Sequence, residues 1–242
     1  LSVVTFGLFV LVGPIVVAHF FHARNEPVTG KVSEFGAPDG PHANLVLLDS
    51  QSGSLLWSGE FNPGTRNPAD LKQQIAFTAG RALRCASEAL SSSDLPKKLL
   101  KSYLTACISL EDSGENDLAI RMMRQLKNQA PRFQPALRAL LLVDAERYRF
   151  ADTSDRPALR RAIERDIIDA RAINPSMAEA LLAEAALLPG SDFAGRIRLA
   201  TKAVDAEPGN PWALTELAAA YQDVGRLGQS VVLSFRSRLL RS

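Results

Sequence analysis

The chain opens on an unbroken apolar stretch. From Leu1 to Phe21 there is no Asp, Glu, Lys or Arg, and Val, Leu, Phe and Ile fill most positions. A helix of that length rises about 30 Å, the thickness of a bilayer's hydrocarbon core, so the pattern predicts a transmembrane helix over residues 1–21, kinked at Pro14. Two readings compete with it. A cleaved signal peptide lacks a basic region before the run and a small-x-small site after Ala18, and a buried helix of a water-soluble domain rarely has so uniform a composition. Residues 22–42, rich in Gly, Pro and Asp, read as a linker carrying one short strand at 28–32.

The pattern then changes period. Leu45, Val46, Leu47 and Leu48 form an apolar run, Asp49-Ser50-Gln51-Ser52-Gly53 is a turn, and Leu55, Leu56, Trp57 and Phe61 follow, which predicts a β-hairpin with Gly53 supplying a positive φ. From Asp70 to Leu90 the apolar positions Leu71, Ile75, Ala79, Leu83 and Ala86 recur at helical spacing, predicting an amphipathic helix, and Ser91-Ser92-Ser93-Asp94 breaks it. Pro96 opens the next helix. Residues 43–90 are thus read as a hairpin plus helix, a partial α/β domain.

Beyond Leu95 the helical pattern repeats. Three segments align without gaps on Pro131, Pro175 and Pro208, each followed five and six positions later by an Ala-Leu pair: Ala136-Leu137, Ala180-Leu181 and Ala213-Leu214. Five residues before each proline stand Leu126, Ala170 and Ala203, and eight before stand Met123, Ile167 and Ala200. The prolines are 44 and 33 residues apart, the longer spacing accommodating an insertion at 151–156. In the first unit Tyr103 takes an early aromatic position, Ala106, Cys107 and Leu110 form a packing face, Gly114 lies in the turn, Ala119 is the small residue at the helix contact, and Pro131 ends the second helix. The last unit has Leu214, Leu217, Ala218, Tyr221 and Gly225, with Ser230 in the small position. Small side chains let paired helices approach, while Gly and Pro set the turns. Arg196 and Ile163 depart from that rule in the middle units. The period and its phasing make residues 91–242 similar to tetratricopeptide repeats, which implies a mainly α fold: an α-α superhelix preceded by a membrane helix and a small hairpin/helix region.

Composition narrows the chemistry. Net charge is +2, with no Lys/Arg run beyond the short tail Arg236, Arg238, Arg241, so nucleic-acid binding by this portion is not expected. Cys85 and Cys107 fall in predicted helices with no C-x-x-C or Cys/His cluster and are read as buried free thiols. The three histidines, His19, His22 and His42, precede the repeats, and no P-loop, G-x-S-x-G, H-E-x-x-H or G-x-G-x-x-G pattern occurs. No catalytic residue, cofactor, metal or small-molecule substrate is therefore expected. Carboxylates such as Glu146, Asp166, Asp169 and Glu184 are explained by solvated helix faces and pairing with arginines.

Asp49, Gly53, Trp57 and Phe61 stand at four-residue intervals. Over residues 28–90 this pattern resembles the hairpin that closes a small α/β domain in bacterial membrane-bound signalling proteins, in which a winged-helix regulator or a nucleotide cyclase is joined to a tetratricopeptide array. The resemblance implies a bacterial inner-membrane protein with its repeats on the periplasmic side, acting as a scaffold or sensor that binds a protein or peptide in the repeat groove. Two alternatives stand beside it: the non-catalytic part of a cyclase, or an envelope-assembly scaffold. The opening at Leu1 rather than Met is read as a lost start, placing an output domain upstream. Helical spacing offers Lys101, Arg138 and Thr215 as groove residues.

Overall fold

The computed structural model describes residues 17–21, 28–37, 40–61, 68–113 and 116–241. The chain divides into two compact units, residues 1–130 and 131–242.

The first unit begins with an antiparallel meander of four strands, β1 (Val17–Phe21), β2 (Val28–Ala37), β3 (Gly40–Asp49) and β4 (Leu55–Phe61), in that spatial order. This overturns the membrane helix. Val17–Phe21 is a strand whose residues pair with β2 from Val17↔Glu34 to Phe21↔Gly30. Residues 1–16 of the apolar run lie outside the described residues. Among the described residues no helix is long and apolar enough to cross a membrane, so membrane anchoring by such a helix loses its support, and the inner-membrane and periplasmic placement with it. The physical reason lies in the residues themselves: a stretch of Val and Phe suits a strand as well as a lipid-facing helix, and only a pairing partner distinguishes them. That partner lay hidden in the supposed linker, where β2 runs well beyond the five residues 28–32 and continues into β3.

Period-two alternation decides which face of the sheet is covered. Val32, Ala43, Leu45 and Leu47 point to one side, where Leu71, Ile75 and Ala79 of helix α1 (Pro68–Leu90) close over them, with Trp57 and Phe61 at the margin. The turn between β3 and β4 is held by one carboxylate: Asp49 Oδ1 accepts from the Gln51 N–H at 3.0 Å and the Ser52 N–H at 2.7 Å. Gly53 sits at φ +66°, a conformation a Cβ would strain. Helices α2 (Leu100–Ser113) and α3 (Asp117–Gln129) complete the unit, α2 preceded by a 3-10 turn at Lys97–Leu99. Asn116 caps α3 by accepting from the Leu118 and Ala119 N–H groups.

Cys85 of α1 and Cys107 of α2 are joined in a disulfide, not held as free thiols. Both fall on the apolar stripes by which the two helices meet, and it is that facing, which sequence separation does not reveal, that brings the sulfurs together. Tyr103 of α2 adds a second tie, its hydroxyl donating to Glu88 Oε2 at 2.8 Å.

The second unit is a run of six helices: α4 (Gln134–Phe150), α5 (Arg156–Ile173), α6 (Ala178–Leu187), α7 (Phe193–Ala206), α8 (Pro211–Asp223) and α9 (Leu227–Arg241). Each packs on its sequence neighbour, and α4, α6 and α8 also adjoin in that order. Between α8 and α9 the backbone reverses at Gly225, φ +75°, where the Arg226 N–H reaches the Tyr221 carbonyl at 2.8 Å. Helix α6 is the centre. Its sequence AEALLAEAAL is apolar around most of its circumference, and Ala178, Ala180, Leu182, Ala183, Ala185 and Leu187 are all buried. A helix apolar on every side belongs inside, and its alanines let α4, α5, α7 and α8 approach closely.

Candidate functional site: a charged lattice across three helices

The residues expected to shape the repeats fall as follows. Tyr103, Ala106, Ala119, Ala136, Ala180, Ala203, Leu217 and Ala218 are buried, Leu110 and Tyr221 half-buried, and Pro131, Pro175 and Pro208 stand exposed in turns. Gly114 lies outside the described residues. These are packing and turn positions, and they bring no reactive groups together. Among the described residues no cluster of three or more His, Cys, Asp or Glu side chains could hold a metal. A shallow depression along α5, lined by Ala158, Arg161, Glu164, Arg165 and Ile168, is open to solvent.

Polar chemistry gathers instead on α4, α6, α8 and the turn before α8. Glu179, second residue of α6, is buried, and burying a carboxylate is costly unless its charge is matched. Both of its oxygens are matched. Arg138 Nε of α4 donates to Glu179 Oε2 at 2.7 Å, and Asn210 Nδ2 donates to Glu179 Oε1 at 2.8 Å. Arg138 Nη2 also donates to Glu207 Oε2, which accepts from Asn210 Nδ2 at 3.1 Å as well. Asn210 serves a further purpose: its Oδ1 accepts from the Trp212 and Ala213 N–H groups at 3.0 and 3.1 Å, capping α8, whose first residue is Pro211. Burial alone would draw the Arg138 pKa down, but Glu179 and Glu207 outweigh it and hold the guanidinium above its ordinary range.

A second clasp lies toward the other end of α4. Arg149 donates to both oxygens of Glu216 on α8, Nη1 to Oε1 at 2.9 Å and Nη2 to Oε2, and Nη1 also meets Glu146 at 3.3 Å. This two-pronged geometry is what a guanidinium and a carboxylate make best. It links α4 directly to α8, past the short α6. Here too desolvation pulls the arginine's pKa down and Glu216 more than reverses it. Beside these charges Trp212 is half exposed.

Of the three groove residues read from spacing, Lys101 is exposed. Arg138 is engaged as described. Thr215 is turned to its own neighbours, its hydroxyl donating to the Pro211 carbonyl at 2.8 Å and sharing a hydrogen bond with Ser237 at 2.8 Å. Glu179, Glu207, Arg149 and Glu216 escaped sequence reasoning because their partners are up to 69 residues away. Asn210 did carry a signal: Asn directly before Pro, ahead of an apolar helical pattern, is a helix start. No protein-family model matches the chain, and no curated protein is detectably similar to it.

Proposed function

We propose that this chain is a non-catalytic helical-repeat scaffold of the tetratricopeptide kind, which binds a protein or peptide partner across the face formed by α4, α6 and α8. One observation carries the reading: this face is a continuous, half-exposed lattice of Arg138, Glu207, Arg149 and Glu216 with Trp212 open beside it. Such a surface suits recognition better than chemistry. Its charges are paired in the free protein, so a partner that supplies its own carboxylates or guanidiniums can exchange with them at little net cost. A half-exposed Trp on a rigid helix start is the residue type that most often dominates binding energy. The phased Pro, Ala and Leu positions of residues 91–242 support the same assignment, since stacked helical pairs present surfaces of this kind.

The test is site-specific photo-crosslinking in the cells the protein comes from. A photoreactive phenylalanine at position 212 should give a discrete adduct that an identical probe at Arg165, on α5, does not give. Arg149→Glu should weaken that adduct. Equal labelling at both positions, or an adduct indifferent to Arg149, would remove the proposal.

A further inference from the structure

Helix α9 is amphipathic the wrong way round. Toward α8 it turns Ser230 and Ser237, both buried, with Leu233 and Ser234 half-buried; Ser237 Oγ donates to the Pro211 carbonyl at 2.9 Å. Away from α8 it exposes Leu227, Val231, Val232, Phe235, Leu239 and Leu240, each at least half open to solvent. Their spacing of three and four residues makes a single stripe. Scattered exposed apolar residues are ordinary, but a stripe along a whole helix marks a surface that is covered in use.

The same unit shows what covers such a face. Each of the two earlier steps from the second helix of a pair to the first helix of the next is bridged by an arginine and an acid: Arg171 of α5 to Glu184 of α6, and Arg196 of α7 to Asp223 of α8 at 2.8 Å. The apolar positions correspond as well. Ile197 of α7 packs beside the cluster that includes Ala213 and Leu217 of α8, and Val231, 34 residues further on, is its exposed counterpart on α9. Helix α9 also carries the arginines. Arg236 and Arg238 are exposed, and from Val224 to Ser242 the chain has four arginines and no Asp or Glu. Two α9 helices laid together would set arginine against arginine with no acid from either, so a second copy is disfavoured on charge.

We infer that the outer face of α9 is a docking surface for an acidic amphipathic helix of a partner protein, held by the Val231–Phe235–Leu239 stripe and by pairing of its acids with Arg236 and Arg238. This surface is separate from the α4–α6–α8 face, and the inference does not rest on that reading.

The probe is a labelled peptide with the sequence of residues 210–224, the helix that meets α7 within the chain, added to the full-length protein and followed by fluorescence anisotropy. Saturable binding is expected. Val231→Asp combined with Phe235→Asp, at exposed positions that leave the core untouched, should weaken it about tenfold or more. A peptide with Glu216→Lys and Asp223→Lys should bind poorly to the unaltered protein. It should regain affinity for a protein carrying Arg236→Glu and Arg238→Glu, a charge exchange that holds even where the apolar variant misfolds. Absence of saturable binding up to millimolar peptide overturns the inference, as does equal binding of both peptides to the unaltered protein. Self-association in sedimentation that Phe235→Asp abolishes would make a second copy the occupant. Binding to anionic phosphatidylserine vesicles without peptide binding would make it a lipid surface. Either result also overturns the inference.

Discussion

The ring of Trp57 lies against the backbone of Gly59, two residues along the same strand, so that a Cβ on Gly59 would stand 2.4 Å from the indole Cη2. Residues two apart on a strand share a face, and Gly59 also pairs with the buried Leu45 across the ladder. The glycine leaves the space, and the tryptophan fills it as it reaches toward α1. Gly59→Ala should therefore force the ring to move and lower stability by about 1–3 kcal/mol. In a Trp212→Phe background the emission of Trp57 should shift to the red. Unchanged emission and an unchanged unfolding midpoint would show that the ring has room to spare.

The disulfide between Cys85 and Cys107 closes a loop of 22 residues between two helices. On chain-entropy grounds a loop of that length stabilises the folded state by about 3 kcal/mol. Adding reductant, or replacing both cysteines by serine, should lower the first unfolding transition accordingly. Protein purified without reductant should offer no thiol to Ellman's reagent. A reactive thiol in the folded, unreduced protein would contradict the pairing.

Removing Arg138 leaves Glu179 buried beside a single neutral donor, Asn210. Arg138→Met should cost about 2 kcal/mol or more, because the carboxylate keeps its desolvation and loses its cation. Arg138→Met combined with Glu179→Met should recover most of that loss. A double-mutant cycle in urea gives both quantities, and additivity of the two single changes would show that the pair is not coupled.

The Ser52 N–H, with the Ser52 hydroxyl and the Gln51 N–H adding to it, holds the Asp49 carboxyl below its usual 3.8. A folded-state pKa that is depressed contributes stability above the unfolded value, and that stability is lost as pH falls through the folded one. The thermal midpoint gap between the unaltered protein and Asp49→Asn should thus be constant from neutral pH down toward 4, then narrow below about 3.8. A gap that closes already near neutral pH would point to another group.

What was legible in the sequence was local. Asp49 and Gly53 announce a turn through their own backbone chemistry, and the apolar spacing of Leu71, Ile75 and Ala79 announces which side of α1 meets the sheet. What was not legible depends on a distant partner. Val17–Phe21 carries no sign that Gly30–Glu34 is waiting to pair with it, so the run reads as a membrane helix until the second strand is in place. The cysteines look like separate core thiols until α1 and α2 are laid together. Arg149 and Glu216, 67 residues apart, look like two ordinary surface charges, and the candidate site is made of such pairs.

Helix α6 has only ten residues and shows almost no polar side, so it is too short and too greasy to persist outside its neighbours. An ordinary stacked array can fray one pair at a time from either end, since each pair touches only the next. Here α4 and α8 are strapped to each other across α6 by Arg149 and Glu216, and peeling away either one would strand it in water. The six helices should therefore melt in one step rather than unzip. Pulled from its ends in an optical trap, residues 131–242 should give a single rip instead of a staircase.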